Sequence, residues 1–235
     1  MGSRTGINSI FRKSLDRAAI GALLFSIGSV ALTSAATSDP SAKPAQKMAA
    51  SAALPAPGIY KIDTVHSFVY FGAWHHIVGL VRGRFEKVAG TITVSPDPAL
   101  CGVDITIDTS SISTQNSERD EDLRGADFFD VKQFPAMTYQ GRGIRRVSGG
   151  TWTMDGSLTI RRVSKVVPLT FTFKGVFPDT KPGKPARASF HGTAATRRGD
   201  FGMTRDNLME LGTSPSRPDV AIEIDVEADA SSPQK

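Results

Sequence analysis

From Ile59 onward, apolar residues recur at every second position, in one run after another. Val103, Ile105 and Ile107 are interleaved with Asp104, Thr106 and Asp108. Trp152, Met154, Gly156, Leu158 and Ile160 alternate with Thr151, Thr153, Asp155, Ser157 and Thr159. Val167, Leu169, Phe171 and Phe173 repeat the pattern, and so do Val220, Ile222, Ile224 and Val226. Successive side chains on a strand point to opposite faces, so each run predicts a strand with one dry and one wet face. Such clean alternation is the mark of antiparallel sheets covered on one side. Turn residues separate the runs at Pro96–Pro98, Ser148–Gly150 and Pro178–Pro185. The predicted strands cover about 60–74, 80–94, 102–109, 136–147, 151–161, 165–176, 186–198 and 219–229.

One place breaks the alternation. Ser117-Glu118-Arg119-Asp120 reads as a capping box, with Asp120 in the position of the usual Glu or Gln. Glu118, Asp120 and Glu121 suit the positive end of a helix, Arg124 suits its negative end, and Gly125 stops it. Two turns do not hold alone in water, so this helix must lean on something, and Phe128 and Phe129 are the predicted anchors. Many strands, one short helix after the third of them and a dry face of large residues predict an all-β fold. The sheet closes on itself into an antiparallel barrel of about eight strands, which removes exposed edges. A barrel of that size holds either a packed core or one ligand.

Residues 1–58 do not share the pattern. Arg4, Arg12, Lys13 and Arg17 precede an apolar run from Ala18 to Leu32 and the small residues Thr33–Ala36. That order predicts a secretory signal over 1–36. Gly21, Ser26, Gly28 and Ser29 interrupt the run, so an uncleaved membrane anchor is the weaker alternative. The sole cysteine, Cys101, rules out lipidation at such a signal and leaves no internal disulfide. Residues 37–58, rich in Ala, Pro, Ser and Lys, predict a disordered linker, followed by a domain over 59–229 and a tail over 230–235. The net charge of +5 belongs mostly to the leader: residues 1–58 hold six basic and two acidic side chains, and the remainder holds 22 and 21. A nucleic-acid binder would keep its basic excess in the folded domain, so no nucleic-acid partner is expected.

A specific resemblance rests on ordered motifs. His66-Ser67, Val69, Phe71, His75, Val81-Arg82-Gly83-Arg84-Phe85 and Gly90-Thr91-Ile92 come first. The segment from Glu118 to Tyr139, ERDEDLRGADFFDVKQFPAMTY, follows. Gly156–Ile160, Lys165–Leu169, Asp200–Met203 and Val220–Ala228 complete the series. Together they resemble the YceI-like family over about residues 59–229. The resemblance implies a lipocalin-like barrel in the bacterial periplasm that holds an isoprenoid lipid or isoprenoid quinone, with no family-wide enzyme activity. At the turn after Ile160 the chain departs from the family's His-Gly pattern and carries Arg161-Arg162.

With the resemblance in place, the dry-face residues become candidates for ligand contact: Phe71, Phe85, Phe128, Phe129, Tyr139, Met154, Leu158, Phe171, Phe173, Phe190 and Phe201. Aromatic rings offer large contact area with few rotors, and Ala73 and Gly156 would leave space. From the residues alone, the favoured reading is that the same side chains simply fill a core, and the resemblance reverses that preference. For the polar head of a ligand the candidates are His66, His75, Arg84, Arg119 and Arg124. The competing reading pairs Arg84 and Arg124 with Glu86, Asp127 or Asp130. No cofactor is expected beyond the bound lipid. Partners left open are a membrane surface, a membrane cytochrome and a second barrel in a homodimer.

Other signals carry less. A metal site wants three or four convergent ligands, and His66, His75, His76 and His191 do not supply them by strand parity, so no metal is expected. No G-x-S-x-G elbow occurs, and Asp200-Phe201-Gly202 lacks the other kinase elements. Arg142, Arg145, Arg146, Arg161 and Arg162 flank a predicted hairpin and could form one basic patch facing anionic lipid heads. An enzyme acting on a small apolar substrate in the cavity, or an envelope module for a membrane cytochrome, are the alternatives to a carrier.

Overall fold

The computed structural model describes residues 53–75, 79–177, 185–203 and 220–231. The predicted signal, most of the linker, the Pro178–Pro185 loop up to residue 184, and residues 232–235 of the tail lie outside these. The strands are β1 (Gly58–Ile62), β2 (Phe68–His75), β3 (Gly79–Phe85), β4 (Val88–Val94), β5 (Gly102–Asp108) and β6 (Ile112–Ser113). Helix α1 (Ser117–Arg124) follows, then β7 (Ala136–Arg142), β8 (Arg145–Ser148), β9 (Thr151–Ile160), β10 (Val163–Phe177), β11 (Arg187–Thr196) and β12 (Val220–Ala230). The sheet runs β1-β4-β5-β7-β9-β10-β11-β12, and β12 pairs back onto β1. Eight staves therefore close into an antiparallel barrel with the lipocalin-like form. Leu54, within the stretch read as linker, already packs on the core.

Three strands that the alternation predicts as single are each broken once. β12 pairs with β1 at one end and with β2 at the other, so 58–75 is one stave bent at 63–67. The bend is made by side chains that outcompete the ladder. The Asp63 carboxylate accepts from the N–H of Val65 at 2.8 Å and of His66 at 3.3 Å, and the His66 ring sits at 2.9 Å. Ser67, fully buried, donates to the Glu227 carbonyl at 3.1 Å and accepts from the Glu227 N–H at 3.1 Å. The stave 79–94 likewise breaks at 86–87, where both N–H groups turn to the Ser111 hydroxyl. The predicted strand 136–147 is interrupted at Gly143, whose φ is 72°, and β7 and β8 continue in the same direction along β9.

Helix α1 forms where predicted, but its cap differs. Asn116, not Ser117, is the N-cap, and its side chain accepts from the Arg119 N–H at 3.0 Å. Asp120 does not reach back to the cap as in a capping box. It is buried and accepts from Thr114 instead. Arg124 clamps the other end of the helix to the barrel through the carbonyls of Ser110 at 3.0 Å and Ile112 at 2.7 Å. The competing pairing of Arg124 with Asp127 or Asp130 gives way to these two backbone acceptors.

Candidate ligand cavity

The barrel is hollow in one half. An apolar cavity of about 450 Å³ lies at the end that carries α1, the 161–162 turn and the 3₁₀ turn Arg198–Phe201. The dry faces of the strands converge on it. Met137 and Tyr139 come from β7, Leu158 and Ile160 from β9, Val167 and Leu169 from β10, and Ile222 and Ile224 from β12. Phe128 and Phe129 reach it from the segment after α1, which is why that segment carries two adjacent aromatics. Phe129 meets Phe85 edge to face at 5.4 Å, and Phe85 lies 5.7 Å from Phe71. Phe71 in turn lies over Gly83, where a Cβ would meet the ring at 2.5 Å.

The candidate residues divide into three sets. Phe71, Phe85, Phe128, Phe129, Tyr139, Leu158 and Phe201 line this cavity together. Met154, Phe171 and Phe190 do not; they border a separate void of about 60 Å³ in the other half of the barrel. Phe173 is packed in that half against Phe190, at 5.5 Å between rings. Strand parity points those on strands inward, but parity does not give depth along the barrel axis.

The polar candidates separate in the same way. Arg119 lines the cavity and is fixed by Thr114, donating Nε to its hydroxyl at 2.8 Å and Nη2 to its carbonyl at 3.1 Å. Arg84 lies on the outer wall instead. It pairs with Glu86 at 2.8 Å and covers the Phe68 ring at 5.1 Å, as the competing reading held. His66 is also on the outside, at the stave bend, 57% exposed. His75 ends β2 opposite Gly79, and its side chain, like His76, lies outside the described residues. Arg198, Asp122 and Trp74 line the cavity without having been singled out from sequence. Only the fold brings them there, because α1 and the 198–201 turn are distant in sequence from each other and from β2.

The five-arginine cluster is not one patch. Arg142 pairs with Asp104 at 2.7 Å and Arg145 with Asp155 at 3.0 Å, at the end of β9 away from the cavity. Arg161 and Arg162 occupy the turn at the opposite end of β9, 5.9 and 5.3 Å over the Phe134 ring. On the outer wall His66 and His191 each sit among carboxylates. Arg187 already fills the first group, pairing with Asp63 at 2.7 Å and Glu227 at 3.0 Å. In the second, His191 bonds Asp225 at 2.8 Å, and both carboxylates are more than half exposed.

Burial governs the one strongly shifted group in the cavity wall. The Tyr139 phenol is pushed up to about 12 by desolvation, with the Asp155 charge adding to it, and its hydroxyl donates to the Val167 carbonyl at 2.9 Å. On the outer wall, burial tends to raise the Asp63 carboxyl. The His66 ring, the Val65 N–H and Arg187 outweigh it and hold the group below the usual range.

A closed eight-stave barrel whose hollow half is walled by apolar side chains and touched by a few charged ones at its rim defines a lipocalin-like binding barrel. The chain belongs to the YceI-like family: the family's domain model matches residues 60–228. Protein YceI of Salmonella newport (strain SL254) is 34% identical over 171 residues, 72% of this chain and 85% of that protein. The crystal structure of the Campylobacter jejuni YCEI protein is 29% identical and superposes with a TM-score of 0.55, covering 68% of this chain and 90% of that one. A polyisoprenoid binding domain from Saccharophagus degradans, implicated in plant cell wall breakdown, shares the fold at 16% identity. Its TM-score is 0.54, over 73% of this chain and 98% of that one.

Proposed function

We propose that this protein binds the chain of an isoprenoid lipid or isoprenoid quinone in the barrel of the bacterial periplasm, as a carrier, store or scavenger, without covalent chemistry. The observation that carries the reading is the cavity of about 450 Å³ walled by Phe, Leu, Ile and Val from six or more staves. Its size falls within the range of small-molecule sites. Withdrawing a branched hydrocarbon from water gains ~25 cal/mol per Å² of apolar surface, several kcal/mol for a chain, before ordering costs. The Saccharophagus domain, which shares the fold, is described as binding polyisoprenoid. A polar head would meet Arg119, whose guanidinium is held on Thr114 and so loses little freedom on binding. The leader-like order of residues 1–36 supports export.

Mass spectrometry of organic extracts from protein purified out of its own envelope tests this. Stoichiometric recovery of a prenyl lipid or quinone is expected. Preparations that are consistently free of any lipid would overturn the reading.

A further inference from the structure

The two voids are separated by a thin layer, and its composition is specific. Ile105, Leu169 and Ile224 border both voids, so they mark the level of the partition. At that level β7 and β9 present Gly141 opposite Gly156, with no side chains of their own. Two neighbours fill the gap reciprocally. The Tyr139 ring of β7 lies across Gly156, where any Cβ would collide with it. The Met154 side chain of β9 lies across Gly141, its sulfur 2.5 Å from where a Cβ would stand. Tyr139 faces the large cavity and Met154 the small void. Both are buried, and the phenol is tied to the Val167 carbonyl at 2.9 Å, so the ring is pinned over β9 with its hydroxyl on β10.

We infer that Tyr139 and Met154 are a floor that sets how long a chain the barrel takes, and that this length is about three isoprene units. This rests on the chain-binding reading above. Taking roughly 30 Å³ per heavy atom, as in a liquid, the cavity of about 450 Å³ holds about fifteen chain carbons. A longer prenyl chain fills the cavity with its end and leaves the rest outside the floor's reach. The two glycines are what let the floor exist, because a side chain at either would displace Tyr139 or Met154.

The test is equilibrium binding of a graded series of prenyl alcohols, from geraniol through farnesol and geranylgeraniol to solanesol, with n-alcohols of matching length alongside. The full chain is compared with Tyr139→Ala, Met154→Ala and Leu158→Phe variants. Affinity of the wild type should rise at least ~10-fold from geraniol to farnesol and change less than ~3-fold beyond farnesol. Tyr139→Ala and Met154→Ala join the voids and should move the levelling-off to a longer alcohol. Leu158→Phe narrows the cavity above the floor and should move it to a shorter one, which keeps the test open if the alanine variants do not fold. Levelling with n-alcohols but no prenyl binding would keep the floor and retire the isoprenoid reading. Affinity that climbs steadily to solanesol, or levelling at the same length in every folded variant, would overturn the floor. Absence of binding by both series would overturn both.

Discussion

Asp120 accepts two hydrogen bonds from Thr114, one from its N–H at 2.8 Å and one from its hydroxyl at 2.6 Å, and both residues are buried. The same hydroxyl accepts from Arg119. One carboxylate thus seats the short helix on the barrel and, through Thr114, steadies the guanidinium at the cavity. Asp120→Ala strands two buried donors, each costing ~1–3 kcal/mol. A lower urea midpoint with unchanged slope is expected, by ~2–4 kcal/mol in all. Asp120→Asn keeps an acceptor oxygen and should cost less. An alanine variant as stable as wild type would show that the helix is held by Arg124 and the phenylalanines alone.

The alkaline limit should carry the signature of Tyr139. In the folded barrel burial pushes its phenol up to about 12, whereas in the unfolded chain it stays at its ordinary value of about 10. Below pH 10 both states are neutral and stability is unaffected. Between pH 10 and 12 the unfolded state alone ionises, so stability falls, by on the order of 1 kcal/mol per pH unit. Tyr139→Phe removes this phenol from both states. The difference between the two proteins in denaturation midpoint should therefore change across that window and stay flat from pH 7 to 9.

At the acid end, Asp63 works with the opposite sign. Its carboxyl is lowered in the fold, so its contribution is complete above the unfolded value of 3.8 and is lost as pH falls below it. Thermal unfolding followed from pH 6 to 2.5 should show Asp63→Asn with the shallower acid decline. Equal declines would mean that the bend at 63–67 is held by Ser67 and Glu227 without the carboxylate.

The turn between β9 and β10 is a two-residue hairpin loop with both residues left-handed, Arg161 at φ 50° and Arg162 at φ 64°. Such loops favour Asn-Gly, because side chains crowd the backbone at positive φ. Replacing Arg161-Arg162 with Asn-Gly should raise stability by ~1–2 kcal/mol, read as a higher melting temperature. A drop would mean that the stacking of the two guanidiniums over Phe134 outweighs the backbone strain.

The legible part of this molecule was whatever depended on parity and local punctuation. The dry faces of β5, β9, β10 and β12 were all assigned to the correct side, and α1 was placed to the residue at its C-terminus. The breaks at 63–67 and 86–87 were not legible, because they are fixed by Ser67 meeting the Glu227 backbone and Ser111 meeting the backbone of 86–87, partners far apart in sequence, while Asp63 closes only the local turn. For the cavity, alternation identified which phenylalanines face inward but not which half of the barrel they occupy. Phe71 and Phe129 therefore line the hollow half while Phe171 and Phe173 pack the other. Arg119 and Arg84 look alike in sequence. What separates them is that one lies on a helix over the opening and the other on the outer face of β3.

The partition at Tyr139 and Met154 also divides the molecule's labours. The half beyond it is packed and closed by the β1–β12 pairing, with Tyr60 and Ala228 almost without exposure. Opening motions that admit a cargo need not pass through that half. Amide hydrogen exchange should then find the slowest protons on β1 and the distal part of β12, at rates indifferent to cargo. Only the amides around α1 and the Arg198–Phe201 turn should slow on loading. A container of this kind can be emptied without being undone.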